Sequence, residues 1–188
     1  WQLHTAEQGL LDYQPDWVVL AIPAPQALVL TNAIDPAISG LHDKAKTEGC
    51  WTMMLRLNQA IAMPFEAAFI NEGILSWVAR NNAKPQRIGE EVWVIHAQAQ
   101  WSQDHIDADP LAIAPQMIEA FIALGGKAPA EYAIHRWRYA SSDTSHQERF
   151  HCDFERGIGY CGDWLHGGRV EGAWLSGQAL ANTIIAAH

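Results

Sequence analysis

Along the 188 residues, hydrophobic positions pass from continuous runs, to strict alternation, to a helical period. Trp1–Thr5 predicts a short strand that turns near Gln8-Gly9. Asp16-Trp-Val-Val-Leu-Ala-Ile-Pro23 is apolar and β-rich, which predicts a strand buried on both faces of an α/β sheet. Pro23 and Pro25 stop it, and Pro25–Thr31 begins a helix, since proline is tolerated in a first turn. In Trp51-Thr-Met-Met-Leu-Arg-Leu57 the pattern alternates: Trp51, Met53, Leu55 and Leu57 share one face, Thr52 and Arg56 the other. That is the signature of a half-buried antiparallel strand. Segments 67–70, 75–79, 92–98 and 132–139 have similar lengths and are separated by Gly, Asn and Pro signals.

Two helical patterns complete the reading. Asp109-Pro110 is a cap followed by a first-turn proline, then Met117, Ile118, Phe121 and Ile122 recur at helical spacing up to a Gly125-Gly126 stop. Pro115 lies inside that span, so the helix either kinks or begins there. Near the end, Ile158–Cys161 predicts a strand, Gly162-Asp163 a turn, and residues from Arg169 a helix. Val170, Ala173, Trp174, Gly177, Ala181, Ile184 and Ile185 form one apolar face of that helix. The fold class is therefore α+β: a mainly antiparallel sheet with helices on one side, flanked by strands and a C-terminal helix of α/β character.

Composition narrows the class. A hydrophobic share of 49% and a charged share of 18% suit a globular chain with a substantial core. Nine Trp supply aromatic surface for a core or for a planar ligand. The net charge of −9 and the lack of any basic cluster argue against nucleic acid or an anionic membrane as partner. The three cysteines, Cys50, Cys152 and Cys161, form no C-x-x-C, so a reducing, cytoplasmic compartment is expected. No apolar run reaches the length of a membrane span.

The most specific chemistry lies near the end of the chain. Gly157, Gly159 and Gly162 match G-x-G-x-x-G, the spacing that cradles a dinucleotide pyrophosphate. Only 26 residues follow Gly162, too few for the helix and second strand of that unit, so the match is a decoy. The stronger combination is a strand, then Gly162-Asp163, then Gly167-Gly168 directly before a helix whose first turns hold small residues. A helix N-terminus offers unpaired N–H groups and partial positive charge to a phosphate or an electron-rich carbonyl. An ordinary capped strand–turn–helix accounts for the same pattern.

Cys161-Gly-Asp-Trp, followed by Gly168-Arg-Val-Glu-Gly-Ala-Trp-Leu-Ser-Gly177, resembles the C-terminal flavin-binding segment of bacterial renalase-like oxidoreductases, within the flavin amine oxidase group. Further matches occur in order: Asp16–Gln26, Leu75–Asn81 with Lys84-Pro85, Trp93–His96 with Gln100–Ser102, and His135–Ala140. The resemblance covers essentially the whole chain. It implies an FAD site in which Gly162 and Asp163 lie against the ribityl–pyrophosphate part. Arg169, Val170 and Glu171 then lie near the pyrimidine edge, with the Val170 N–H reaching a ring carbonyl. It further implies a substrate domain over residues 27–155, whose sheet covers one face of the isoalloxazine, between flavin-domain segments 1–26 and 156–188. Trp77, Arg80, Asn81, His96, Arg136 and Trp137 are the candidates to line the substrate pocket, and Arg138 is a further candidate for a substrate phosphate.

The implied activity is oxidation of dihydronicotinamide isomers of NAD(P)H by hydride transfer to FAD, with O2 as acceptor. Hydride transfer requires no protein acid or base, so no catalytic residue is assigned. A flavin amine oxidase and a non-catalytic binding module are the alternatives. Family members are roughly twice as long and begin with a Rossmann unit that has no counterpart here. The chain is therefore expected to be a C-terminal fragment that binds FAD weakly or not at all, with an apolar flavin-domain surface around Trp17–Ile22 and Trp174–Ile185 able to drive dimerisation. A metal site from His151, Cys152, Cys161, Asp163 and His166 lacks zinc-ligand spacing, so no metal is expected. A Cys–His nucleophile has no local signature, and Cys161 reads as buried and inert.

Overall fold

A computed structural model describes residues 1–142 and 148–187. The chain divides into two compact units, one of residues 1–47 with 141–188, the other of residues 48–140. These limits lie inside the substrate domain expected over 27–155. The reason is local packing: residues 24–45 form two helices that share a core with the last strand, and residues 151–153 pair with that strand.

In the first unit, β1 (His4–Thr5) and β2 (Gly9–Leu10) make a small hairpin. The main sheet has the order β3–β10–β9, formed by Val18–Leu20, Ile158–Tyr160 and His151–Asp153. β3 runs parallel to β10, and β9 antiparallel to it. Helices α1 (Ala24–Thr31) and α2 (Ala37–Ala45) cover one side through Ala24, Ala27, Ile38, Leu41 and Ala45, against Leu20, Ile158 and Tyr160. α1 starts at its predicted proline turn. α2, whose buried Ile38, Leu41 and Ala45 fall at i, i+3 and i+7, was not read from the sequence. The polar residues between them and the Asp35-Pro36 pair hid it.

One expectation for this unit is corrected. β3 is not buried on both faces: Leu20 is 6% exposed but Val19 is 47% exposed, because successive side chains alternate between the sheet faces and the one carrying Val19 is left open. The last helix, α5 (Val170–Ala186), forms where predicted, and the apolar surface expected around Trp174–Ile185 is largely exposed. Gly172, Ser176 and Leu180 are buried, while Val170, Trp174 and Ile185 are 90%, 63% and 72% exposed. The helix seats its narrow small-residue stripe on β10, where Leu180 closes over Gly159. A wide apolar flank beside Trp17 and Val19 is left open.

The second unit is a five-stranded sheet of order β5–β6–β7–β4–β8: Ala67–Phe69, Leu75–Arg80, Glu91–Ala97, Thr47–Leu57 and Glu131–Ser142. β5 and β6, β6 and β7, and β4 and β7 pair antiparallel. β4 follows the predicted alternation, with Trp51, Met53, Leu55 and Leu57 buried. α3 (Ala99–Asp104), not foreseen, is pinned by Ser102, whose hydroxyl accepts the Trp51 N–H. α4 (Pro110–Ala123) covers the same face through Ile113, Ala114, Met117 and Phe121. Asp109 caps it by accepting the Leu111 N–H at 2.9 Å, so the helix begins at Pro110 and carries Pro115 within it. Gly125, at φ +100°, ends the helix, and the Gly126 N–H returns to the Phe121 carbonyl.

Candidate functional site

In the first unit the candidate cofactor residues gather around the entry to α5. β10 hands the chain to Cys161, whose N–H bonds the Leu20 carbonyl, and then to Gly162 and a 3-10 turn over Asp163–Leu165. Gly162 cannot carry a side chain cheaply. A Cβ there would stand 2.6 Å from Nε1 of Trp164, a buried indole fixed by donating to the Ile22 carbonyl. The Asp163 carbonyl accepts N–H groups from both His166 and Gly168 at 2.9 Å, which folds residues 166–168 back over the turn. Gly167 and Gly168 make that reversal at φ +79° and +63°, a left-handed pair that glycine adopts without strain.

This loop delivers Arg169 in extended conformation directly before Val170. No side chain caps α5, so the N–H groups of Val170, Glu171 and Gly172 have no partner inside the helix. The Asp163 carboxylate has no hydrogen bond or ion pair among the described residues. A hollow of about 380 Å³ opens here, lined by His166, Gly167, Arg169, Glu171, Gly172 and Leu175. Of the five cofactor candidates, Arg169 and Glu171 line this hollow, while Gly162, Asp163 and Val170 belong to the adjoining turn and helix start and are not among its lining. The G-x-G-x-x-G match has no common role. Gly157 packs on the Asp16 carbonyl, Gly159 under Leu180 and Gly162 beside Trp164. Cys161 is buried, and burial pushes its thiol pKa up, as its apolar strand setting suggested.

The substrate candidates of the second unit separate into two groups. Trp77 and His96 are cross-strand partners on β6 and β7, their rings 5.0 Å apart, on the sheet face away from α4. Thr52 pairs with His96 from β4, and Phe69 with Trp77 from β5, extending the same face. Trp137 joins them by alternation, because its neighbour Arg136 lies over the Trp51 ring on the core side. Trp137 is 54% exposed and contacts His135. Burial, and secondarily the Lys84 charge, lower the His96 pKa, so the ring is neutral near pH 7.

Arg80, Asn81 and Arg136 are placed differently. Arg80 bonds Glu91 and Glu66 and the Ile61 carbonyl, and it stacks on Trp93. Arg136 donates to the Ile106 carbonyl at 2.7 Å and Arg138 to Asp107 at 2.8 Å. Asn81 opens a 3-10 turn after β6. The resemblance offered these arginines to a ligand; their acidic and carbonyl partners lie 11 to 31 positions away, out of reach of sequence spacing. A roomier hollow of about 480 Å³, between α4 and the β5–β6 turn, contains none of the candidate residues.

No protein-family model matches the chain. Solved structures do. A putative protoporphyrinogen oxidase from Exiguobacterium sp. 255-15 matches over 100% of this chain, with a TM-score of 0.76 and 15% identity. The chain shares the fold of the matched part of that structure. Cyclohexylamine oxidase from Brevibacterium oxydans IH-35A matches over 93% of this chain, at a TM-score of 0.67 and 11% identity. An oxidoreductase from Methanosarcina mazei matches over 96%, at 0.63 and 14%. The chain spans 44%, 44% and 47% of those three structures, less than half of each.

Proposed function

We propose that the chain carries one part of a flavin site in an FAD-dependent oxidase. The observation that carries this reading is the uncapped N-terminus of α5, set after a glycine turn and accompanied by an unpartnered Asp163 carboxylate. These residues suit FAD: Val170 and Glu171 N–H groups for a ring carbonyl, Asp163 for ligand hydroxyls, Arg169 for the electron-rich pyrimidine edge. Bound FAD supplies the hydride acceptor and the route to O2. The protein positions the donor ring and restricts water, and no side chain must move a proton for hydride transfer. The second unit offers the aromatic face of Trp77, His96 and Trp137 to a planar substrate, with His96 uncharged. Asn81 remains a candidate at its margin. Arg80 and Arg136 hold that sheet together rather than meet a ligand.

The proposed substrates are dihydronicotinamide isomers of NAD(P)H. Amine oxidation is the second reading, favoured by fold matches that are themselves cyclohexylamine and putrescine oxidases. Titrating the isotope-labelled chain with FAD tests the cofactor reading even where binding is weak. Amide resonances of Asp163, Val170 and Glu171 should move in a saturable way. A polypeptide that carries the remainder of the fold and still takes up no FAD overturns the reading. In a polypeptide carrying the remainder of the fold, flavin bleaching by dihydronicotinamide isomers and not by amines selects the first substrate class, and the converse selects the second.

A further inference from the structure

The turn at Gly162–Asp163 and the first turn of α5 come from separate elements, yet one stripe of α5 governs both. That stripe is Gly172, Ser176 and Leu180, at i, i+4 and i+8, all buried. Gly172 lies beneath the loop that precedes the helix. A Cβ on it would stand 1.7 Å from the His166 carbonyl oxygen, a backbone atom that cannot rotate aside. Only a bare backbone at 172 lets residues 166–168 rest on the helix start. Those residues in turn give two N–H groups to the Asp163 carbonyl. Ser176, 0% exposed, accepts the Gly162 N–H at 3.0 Å, which pins the other end of the turn to the second turn of α5.

Resting on the flavin reading above, we propose that Gly172 and Ser176 are positioning residues of that site. They set the separation between the Asp163 carboxylate and the open N–H groups of Val170 and Glu171 without touching the ligand. Leu180, on the same stripe, packs on Gly159 one turn further from the site and contributes stability only.

The test compares Gly172→Ala, Ser176→Ala and Leu180→Ala by ligand-free amide spectra, denaturation and FAD titration. Gly172→Ala should shift the Asp163, Gly168 and Val170 resonances and weaken FAD binding about tenfold or more. Ser176→Ala should shift the Gly162 resonance and weaken FAD binding in the same direction. Leu180→Ala should lower stability at least as much yet keep wild-type FAD affinity. Should Gly172→Ala fail to fold, Ser176→Ala carries the comparison. Wild-type turn resonances and affinity in both site variants overturn the proposal, as does an affinity loss that merely tracks stability across all three. Where the wild-type chain does not respond to FAD, the titrations are made in a polypeptide carrying the remainder of the fold, whose failure to bind FAD sinks the flavin reading instead, and the ligand-free spectra still decide whether the stripe sets the turn.

Discussion

The Arg80 guanidinium meets Glu91, Glu66, the Ile61 carbonyl and the Trp93 ring, while Glu91 also accepts from Trp93 Nε1 at 2.8 Å. Burial by itself would raise the Glu91 pKa, but hydrogen bonds from Trp93 and Asn82 and the Arg80 charge outweigh it, and the net direction is down. A carboxylate with a lowered folded pKa stabilises the protein above its unfolded pKa, and that stability is lost as pH falls through the folded value. Glu91→Gln should therefore cost about 1.5–3 kcal/mol near neutral pH, the loss of charge-assisted hydrogen bonds from an Arg80 that keeps Glu66 as a partner. It should also flatten the fall in stability below pH about 4.5, as read by urea denaturation across pH. His96 acts in the same direction, in a higher pH window. Its folded pKa is lowered by burial, so the unfolded chain binds protons first. Stability should drop as pH falls below about 6.5 and level off below the folded pKa, and His96→Phe should remove that segment of the profile. A stability profile between pH 5 and 8 that is the same in wild type and variant would refute this.

Among the elements, α4 and α5 show what periodicity can and cannot say. The Asp109 cap was legible because capping is local chemistry, and the side chain does accept the Leu111 N–H. Asp109→Ala should cost about 1 kcal/mol, measurable as a lower midpoint of thermal unfolding. In α5 the helix and its exposed apolar surface around Trp174–Ile185 were legible, but the buried stripe of Gly172, Ser176 and Leu180, which meets β10 at Gly159, was not. What Arg80 and Arg136 bond to was hidden for a related reason. Their partners lie on other strands and loops, out of reach of any sequence window.

For the molecule as a whole, the open flank of α5 and β3 is the feature that sequence reading expected to drive association. Trp17, Val19, Gly177, Leu180, Ala181, Ile184 and Ile185 line an apolar groove of about 290 Å³, with the exposed Trp174 on the same helix. No charged side chain lines that groove. Uncovered apolar surface of this kind favours association, and a second copy of the chain is the proposed partner. Light scattering of the chain should show mass rising with concentration, and Trp174→Glu should return it to the monomer. A monomeric wild type at high concentration would count against the proposal. Among the described residues no helix is long and apolar enough to cross a membrane.

Local order in the sequence was enough to determine the mixed class, the alternation of β4, the capped start of α4 and the turn-to-helix stretch from Gly162. Each depends on neighbours within about one turn or one strand, where hydrophobic period and backbone chemistry act directly. Only the tertiary structure decided which face of α5 is buried, which arginines are already bonded, and where the compact units divide. Those outcomes follow from contacts between distant residues, such as Gly172 under His166, Arg80 on Glu91 and α1–α2 against β10, that one-dimensional spacing does not encode.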